Sequence, residues 1–313
     1  MEYTNKLGLG VGGVDRPGKR VLVYSGISSD IRDLAERFGI DDIDSSTLVF
    51  ATIDSAVGSL MANRGDTIVV APGHAETISS ATALALDVAG INIIGLGEGT
   101  DRPTLTFDTA NTATIAVSVA NVTIENIVFS ANFADIASLF TLTTAKNFKL
   151  KNCGFKATAT NMNFLTLATT NAVANTADGL TVEGCTWIEP DTSTSTMLTI
   201  VEDLDGLIVK GNYLNLGVNT SDLPAIAIVA TGKDLTNLRV EGNDVIRLND
   251  ANPLLIDVDT TTANTGIVKD NNVRHLDTAA ELIVTAGTNI GFFRNNSTAA
   301  IDKSGFIIPV IDS

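Results

Sequence analysis

The 313-residue sequence predicts an all-β protein, a right-handed parallel β-helix of about eight coils. Segments of alternating apolar and polar residues that end in Gly, Asn or Asp recur along the chain, as in NVTIENIVF at 121–129 and NLRVEGNDV at 237–245. A second set of short alternating runs recurs once per repeat and is aligned on its second residue, as in TIAV at 114–117, FLTL at 164–167, MLTI at 197–200, AIAI at 225–228 and ELIV at 281–284. The composition agrees, because only 5% of residues are aromatic and 18% charged, while Thr, Ile and Val are plentiful.

The first pattern defines the length of the repeat. When the segments are aligned on the last apolar residue before each turn, successive positions lie between 25 and 32 residues apart. A period that drifts in this way suits a solenoid whose loops vary while its strands stay in register. Within each repeat the second pattern follows the first at a nearly constant number of residues, so the variable loops fall after the second pattern. The longest insertion is expected at 168–178. The aligned residues are Ile93, Ile124, Leu150, Val182, Val209, Val240, Val268 and Phe293.

The position after each turn residue predicts a stacked column inside the coil. Stacked asparagine amides hydrogen-bond to one another and to turn backbone, so we interpret the late members as a structural ladder. The two cysteines of the column are expected to be buried neighbours in adjacent coils and to remain free thiols, because a parallel ladder points both Cβ atoms the same way. The predicted ladder consists of Ile127, Cys153, Cys185, Asn212, Asn243, Asn271 and Asn296.

The chain ends predict a boundary near residue 50. Residues 1–50 are interpreted as an N-terminal arm, extended over 1–19, followed by a small α/β segment with a strand at 20–25 and a helix at 28–38. Residues 51–313 form the β-helix, which begins with a capping helix at 52–62. Thr52 is its expected N-cap, and Ile53, Ala56, Val57 and Leu60 share its apolar face. The segment 306–311, which contains Pro309, is the expected last strand.

Charge and hydropathy exclude several partners. The formal net charge of −16 would repel a phosphate backbone, so we expect no nucleic-acid partner. The most apolar stretch, 81–97, falls short of the ~20 residues that cross a bilayer, so we expect no membrane span. The first residues lack the pattern of a secretory signal, which favours synthesis in the cytoplasm.

The segment TIDSAVGSLMANRGDTIVVAPGH at 52–74 resembles the entry segment of the pectin-lyase-like β-helix superfamily. The resemblance covers about 47–313 and implies the fold, but it leaves activity open, because the superfamily contains lyases, hydrolases, tailspikes and inert structural proteins. The preceding strand and helix and the APGH exit are also similar to β-helix proteins of tailed-phage genomes. Some of those decorate the capsid as trimers, and this likeness implies a role in the virion.

Residues with catalytic chemistry are sparse. The superfamily's lyases use clustered acids that bind Ca²⁺, together with an Arg or Lys base. Its hydrolases use closely placed Asp residues with His. Neither set is found in this sequence, so we predict no catalytic, cofactor or metal residues. Adjacent acids outside the coils occur at Asp41 and Asp42, and we expect acids on the coils to be solvated. Trp187 can stack on a sugar, but its spacing favours the core. The other candidates carry weak signals. We interpret His74 and His275 as ordinary turn or surface residues. The remaining candidate acids are Asp244, Asp250, Asp257, Asp259 and Asp270.

These observations predict a non-enzymatic structural protein of a phage particle, a capsid decoration or cement protein on the shell exterior. A homotrimer is expected, bound to the major capsid protein or another virion protein through residues 1–26. The alternative is a carbohydrate-binding or depolymerising β-helix, either a tailspike or a polysaccharide lyase. The two readings differ in whether a glycan is bound or cleaved.

Overall fold

A computed structural model describes residues 18–25, 49–159, 161–189, 195–217, 223–247, 255–258, 263–275, 284–285 and 289–299. Its regular structure is nearly all parallel β-strand, wound into a solenoid of about eight coils, which confirms the predicted fold class. The expectations for the arm at 1–17, the helix at 28–38, the acids Asp41, Asp42, Asp250 and Asp259, and the last strand at 306–311 lie outside the described residues.

Three parallel sheets form the walls of the solenoid. Sheet 1 contains β1 (Arg20–Val23), β2 (Val49–Phe50), β3 (Thr67–Val70), β6 (Asn92–Gly95), β9 (Thr123–Glu125), β12 (Lys149–Lys151), β15 (Thr181–Glu183), β19 (Ile208–Lys210), β23 (Leu238–Glu241), β26 (Thr265–Lys269) and β29 (Asn289–Phe293). Sheet 2 contains β4 (Ala75–Thr77), β7 (Thr104–Phe107), β10 (Val128–Ala131), β13 (Gly154–Ala157), β16 (Thr186–Ile188), β20 (Tyr213–Asn215), β24 (Asp244–Ile246), β27 (Asn272–His275) and β30 (Asn296–Ala299).

Sheet 3 closes each coil. It contains β5 (Ala85–Leu86), β8 (Ile115–Val117), β11 (Phe140–Leu142), β14 (Thr166–Thr170), β17 (Thr196–Ile200), β21 (Ala227–Val229), β25 (Ile256–Asp257) and β28 (Val284–Thr285). A short pair, β18 (Leu204–Asp205) and β22 (Leu235–Thr236), lies between sheets 3 and 1. Coil 1 starts at β3, each coil takes one strand from each sheet in order, and β29 and β30 form a partial ninth coil.

Alternation within each strand fills the interior. The inward residues of sheet 1 stack in register from Ile93 through Ile124, Leu150 and Val182, and each is at most 3% exposed. The larger aromatic side chains occupy the early coils, where Phe129 packs parallel to Phe155 at 5.6 Å between ring centroids. Burial of these columns removes apolar surface from water along the whole rod, so the core is continuous rather than divided into domains.

The second sequence pattern corresponds to sheet 3, with corrected register in coils 4, 6 and 8. Ala168 pairs with both Phe140 and Leu198, so the alignment that placed Leu165 in this column was wrong by three residues. Extra residues precede β14, where Ile136 forms an isolated bridge with Phe164. The insertion expected at 168–178 therefore begins only after Thr170, because 168–170 is strand.

A column of left-handed residues turns the chain from sheet 1 into sheet 2. The residue at this position has positive φ in coils 3 to 9, with values between 50° and 64°. Only Gly, and less readily Asn or Asp, adopts this conformation at low cost, which explains the Gly, Asn and Asp that mark the repeat. The column consists of Asn126, Asn152, Gly184, Gly211, Gly242, Asp270 and Arg294.

A short helix covers the first coil. It is α1 (Ile53–Val57), and its N-cap Thr52 accepts a hydrogen bond from the backbone N–H of Ser55. Ile53, Ala56 and Val57 are buried against the coil, as the apolar periodicity predicts, but the helix ends before Gly58 and is shorter than the expected 52–62. Within the described part of the chain, no helix has the length and apolar character needed to cross a bilayer.

The N-terminal strand is part of the same wall. The strand β1 pairs in parallel with β3 and with β2, and its residues 21–23 are fully buried. The backbone N–H of Lys19 donates to Asp66 Oδ1 at 2.6 Å. Residues 19–23 are therefore fixed on the β-helix, and the arm expected over 1–26 is restricted to the residues that precede them.

Asp66 joins the N-terminal strand, the capping helix and the first coil. Its carboxylate is buried and also accepts from the Met61 backbone at 3.0 Å and from two guanidinium nitrogens of Arg64, each at 2.6 Å. Burial alone would raise the pKa of this carboxyl, but these hydrogen bonds outweigh burial and hold the pKa below its usual range.

We expect Asp66→Asn to lower the free energy of unfolding at pH 7 by about 2 kcal/mol, because the replacement cannot accept all four hydrogen bonds. The folded carboxyl has the lower pKa, so its contribution is complete above about pH 4, the unfolded value, and disappears as the pH falls through the folded value. Melting curves of the wild type and the variant should therefore converge below about pH 4. A difference that stays constant with pH would contradict this role.

Candidate functional site

The predicted ladder positions lie directly after the left-handed turn, inside the rod. Asn243 Nδ2 donates to Asn271 Oδ1 at 2.9 Å and to the Val209 carbonyl at 3.0 Å, while its Oδ1 accepts from the side chain and backbone of Asn212. Asn271 repeats the same four bonds one coil later. Each of these amides is at most 2% exposed and has its hydrogen-bonding capacity met by neighbouring coils.

The last ladder member is Asn295, and the placement of Asn296 in this column was wrong. Asn271 donates to Asn295 Oδ1 at 2.9 Å, whereas the side chain of Asn296 faces outward and donates to Asn272 Oδ1. The register pairs Val268 with Phe292, so Phe292 rather than Phe293 is the inward residue. Phe293 is 56% exposed. Two adjacent phenylalanines left the direction of alternation ambiguous in the sequence.

Cys153 and Cys185 occupy the ladder position in coils 4 and 5. Both are free thiols and at most 2% exposed. Cys185 Sγ lies 3.7 Å from the Leu150 carbonyl, and its backbone N–H donates to Asn212 Oδ1 at 2.8 Å, so this residue begins the amide ladder. The hydrogen bond with Cys153 and burial both raise the pKa of the Cys185 thiol well above its usual range, which keeps it protonated and unreactive.

The outer face of sheet 1 carries a column of alternating charge that the sequence reasoning missed. Registered neighbours have opposite signs in six successive coils, and Lys269 Nζ lies 3.6 Å from Glu241 Oε1. Alternation avoids like charges directly opposite one another at the spacing of adjacent strands. The signal was present in the residue that precedes each turn. The column, here called the charge column, consists of Glu125, Lys151, Glu183, Lys210, Glu241 and Lys269.

An open groove of about 360 Å³ lies beside the charge column. It exists because the turn residues Gly184 and Gly211 present no side chain there. Its carboxylates, ammonium groups and one amide offer both donors and acceptors to a polar ligand. The lining consists of Glu125, Lys151, Asn152, Glu183, Gly184, Lys210 and Gly211.

The three candidate acids that the structure describes, Asp244, Asp257 and Asp270, do not gather at one place. Asp244 lies on sheet 2 and Asp257 on sheet 3, whereas Asp270 is the left-handed turn residue of coil 8. Asp270 forms two hydrogen bonds with Arg294, at 2.7 and 2.8 Å. Among the described residues, no group of three or more His, Cys, Asp or Glu side chains is placed to hold a metal ion.

Of the two histidines, His74 differs from the expectation because it is buried. His74 follows a turn, as predicted, but it is buried, with Nε2 3.2 Å from Glu76 Oε2. Glu76 Oε2 also accepts from the backbone N–H of Ile53, at the start of α1, so this pair fixes the capping helix. His275 lies within β27 rather than in a turn. Trp187 pairs with Phe155 and is 1% exposed, which confirms its predicted place in the core.

Comparison with known proteins finds no matching family model, no matching curated protein and no matching solved structure. The geometry itself defines the class: a parallel β-solenoid, consistent with a pectin-lyase-like β-helix, with three regular faces. Its polar interior columns join coil to coil, and its surface offers one open groove of mixed charge.

Proposed function

We propose that this chain is a non-enzymatic structural protein of a phage particle, a capsid decoration or cement protein on the outside of the shell that assembles as a homotrimer. The observation that carries the proposal is the uninterrupted regularity of the rod, whose core and interior polar columns continue from coil to coil. Such an object is stiff, and its faces repeat at about 4.8 Å per coil, which suits a scaffold laid on an ordered surface.

The placement of the acids supports a structural role over cleavage of a glycan. Hydrolysis of a glycosidic bond needs two carboxyl groups on opposite sides of one bond, about 5 to 9 Å apart. Here Asp257 is on sheet 3, and Asp270 is held by Arg294 in the turn between sheets 1 and 2. The likeness of the strand and helix expected at 20–38, and of the APGH exit at 71–74, to β-helix proteins of tailed-phage genomes supports the assignment to a virion.

Docking is assigned to the residues before the first strand. Because residues 19–23 are held by sheet 1 and Asp66, the segment 1–17 leaves the rod at one fixed point. Its glycine-rich sequence favours an extended arm that gains contacts when it is ordered on a neighbour. At ~3.3 Å per residue such an arm spans roughly 55 Å, enough to reach an adjacent shell subunit.

Deletion of residues 1–17 should leave a folded β-helix, with unchanged circular dichroism, that no longer binds its particle. The assay mixes purified chain with particles from a phage that lacks the gene and follows co-sedimentation. A variant whose first 17 residues are replaced by a Gly/Ser segment of equal length is the matched control, and it should fail equally. Full-length affinity in either variant contradicts docking by the arm, and full-length chain that never co-sediments contradicts the decoration role.

A direct assay on the same preparation distinguishes the structural role from the alternative of a glycan-cleaving protein. Incubation with acidic and neutral polysaccharides, with and without Ca²⁺, is expected to produce neither new reducing ends nor the absorbance of unsaturated sugars. Either product would replace the structural assignment with a tailspike or lyase. Glu183→Gln, which removes one carboxylate from the groove, would then show whether the groove is responsible.

A further inference from the structure

The outer surface of sheet 3 differs in charge from the outer surface of sheet 1. Among the described residues of coils 2 to 6, no outward side chain on this surface is charged. Asp87 flanks it in coil 1 and Asp257 follows it in coil 7, so the uncharged area has defined limits. This area, here called the sheet 3 face, consists of Ala116, Thr141, Thr169, Thr199 and Ile228 and, just after the strands, Ser118, Thr143, Asn171, Val201 and Ala230.

Several polar groups on the sheet 3 face, on Thr141, Thr143, Asn171 and Thr199, have partners within the chain. Thr141 Oγ1 lies 3.0 Å from Thr114 Oγ1, and Thr143 Oγ1 donates to the Val117 carbonyl at 3.2 Å. The side-chain amide of Asn171 donates to the Thr143 carbonyl at 3.1 Å. Groups that already hold a hydrogen bond lose less when water is removed, so this face can be covered at low cost.

Charge is distributed very differently on sheet 1, where the charge column presents an acid or a base in each of six coils. Covering that face would require desolvation of every charge in the column. Interface cores are depleted of charged residues in the same way as the sheet 3 face. With a net charge of −16, two copies of the chain repel each other overall, and a contact between uncharged surfaces adds least to that repulsion.

We propose that the sheet 3 face is buried between copies of this chain. The proposal deepens the homotrimer and rests on that part of the proposed function. Further copies of the chain are the occupant that fits, because in a closed trimer each copy turns the same uncharged surface, with the same strand spacing of ~4.8 Å, towards the threefold axis. An acidic or basic partner would find no opposite charge on this face to pair with.

Substitution of Thr169, in the middle of the face, tests the proposal. Its registered neighbours are Thr141 and Thr199, so either Thr169→Glu or Thr169→Arg places an unpaired charge inside the contact. Both signs should weaken association roughly 100-fold, because burial of a charge without a partner is costly whatever its sign. Thr106→Glu and Thr106→Arg are matched controls on the outer face of sheet 2, at a position of similar partial exposure.

Sedimentation velocity of the full chain gives the readout. We expect the wild type and the Thr106 variants at three times the chain mass of 32.7 kDa, and the Thr169 variants as monomers with unchanged circular dichroism. A monomeric wild type, or Thr169 variants that remain oligomeric, would overturn the proposal. Loss of association with only one sign of charge would also overturn it, because that result indicates an ionic contact.

A conservative substitution guards against misfolding of the charged variants. In Thr169→Cys the new thiol should react with a maleimide at least tenfold more slowly than the thiol of Thr106→Cys, because the interface covers it. The native cysteines are buried and should not contribute to the reaction. Equal rates in the assembled protein would overturn the interface. Co-sedimentation with particles is measured separately, so a failed interface and a failed decoration role give different results.

Discussion

Replacement of Asn243 by Leu is expected to lower the free energy of unfolding by about 3 to 5 kcal/mol. The substitution removes four hydrogen bonds at once, which takes a donor from the Val209 carbonyl and the acceptor from both the backbone N–H and the side-chain amide of Asn212. Each orphaned group costs about 1 to 3 kcal/mol. Chemical unfolding followed by circular dichroism measures the loss, and an unchanged midpoint would contradict the ladder.

Two companion variants isolate the cause. Asn272→Leu changes an exposed asparagine of the neighbouring strand and should shift stability by less than about 0.5 kcal/mol. Cys185→Asn extends the ladder by one coil and should be tolerated, because the Leu150 carbonyl already lies 3.7 Å from the thiol. An apolar or thiol side chain at this position is accepted in coils 3 to 5, where no residue of the column has an amide neighbour on both sides. Asn243→Leu fails because the neighbours on both sides are amides.

Replacement of Trp187 by Ala is expected to cost about 3 to 5 kcal/mol, the usual range for a large aromatic residue removed from a core. The indole is fully enclosed between Phe155 and Leu214 of the adjacent coils. The parallel strands hold the coils at a fixed spacing, so the cavity cannot collapse. Melting temperature measured by circular dichroism gives the effect.

The adjacent residue supplies the control for Trp187→Ala. Ile188 belongs to the same strand and is 45% exposed, so Ile188→Ala removes a large side chain without opening a cavity. Its effect should stay below about 1 kcal/mol. Similar losses in the two variants would mean that the inward and outward assignments of this strand are wrong.

The contrast between Asn295 and Asn296 shows what the sequence could predict. Six coils follow the pattern of an apolar residue, a variable residue, a turn residue and the ladder residue, and alternation placed their members correctly. In the last coil Phe292 and Phe293 are both apolar, and the turn residue is Arg294, which rarely has positive φ. Neither local signal could choose the inward residue, so only pairing with β26 decides it.

Prediction of the surface features from the sequence depended even more on knowing the strand register. The sign alternation from Glu125 to Lys269 is visible once the residue before each turn is aligned, so the charge column was within reach of the sequence. The sheet 3 face was not, because its members are identified only when the register of Thr169 with Thr141 and Thr199 is known. The sequence alignment had put Leu165 instead of Ala168 beside Phe140 and Leu198, which shifts the whole strand by three residues. Long-range pairing, which local patterns do not encode, makes the difference.

The column of left-handed turns has a consequence for how the length of this molecule can change. Each coil meets the next through the same turn and the same three strands, so a whole coil can be inserted or removed without repacking the others. Length then changes only in steps of about 4.8 Å. The length of the rod is therefore a whole number of coil spacings. Related chains that span different distances should differ by whole repeats rather than by a few residues.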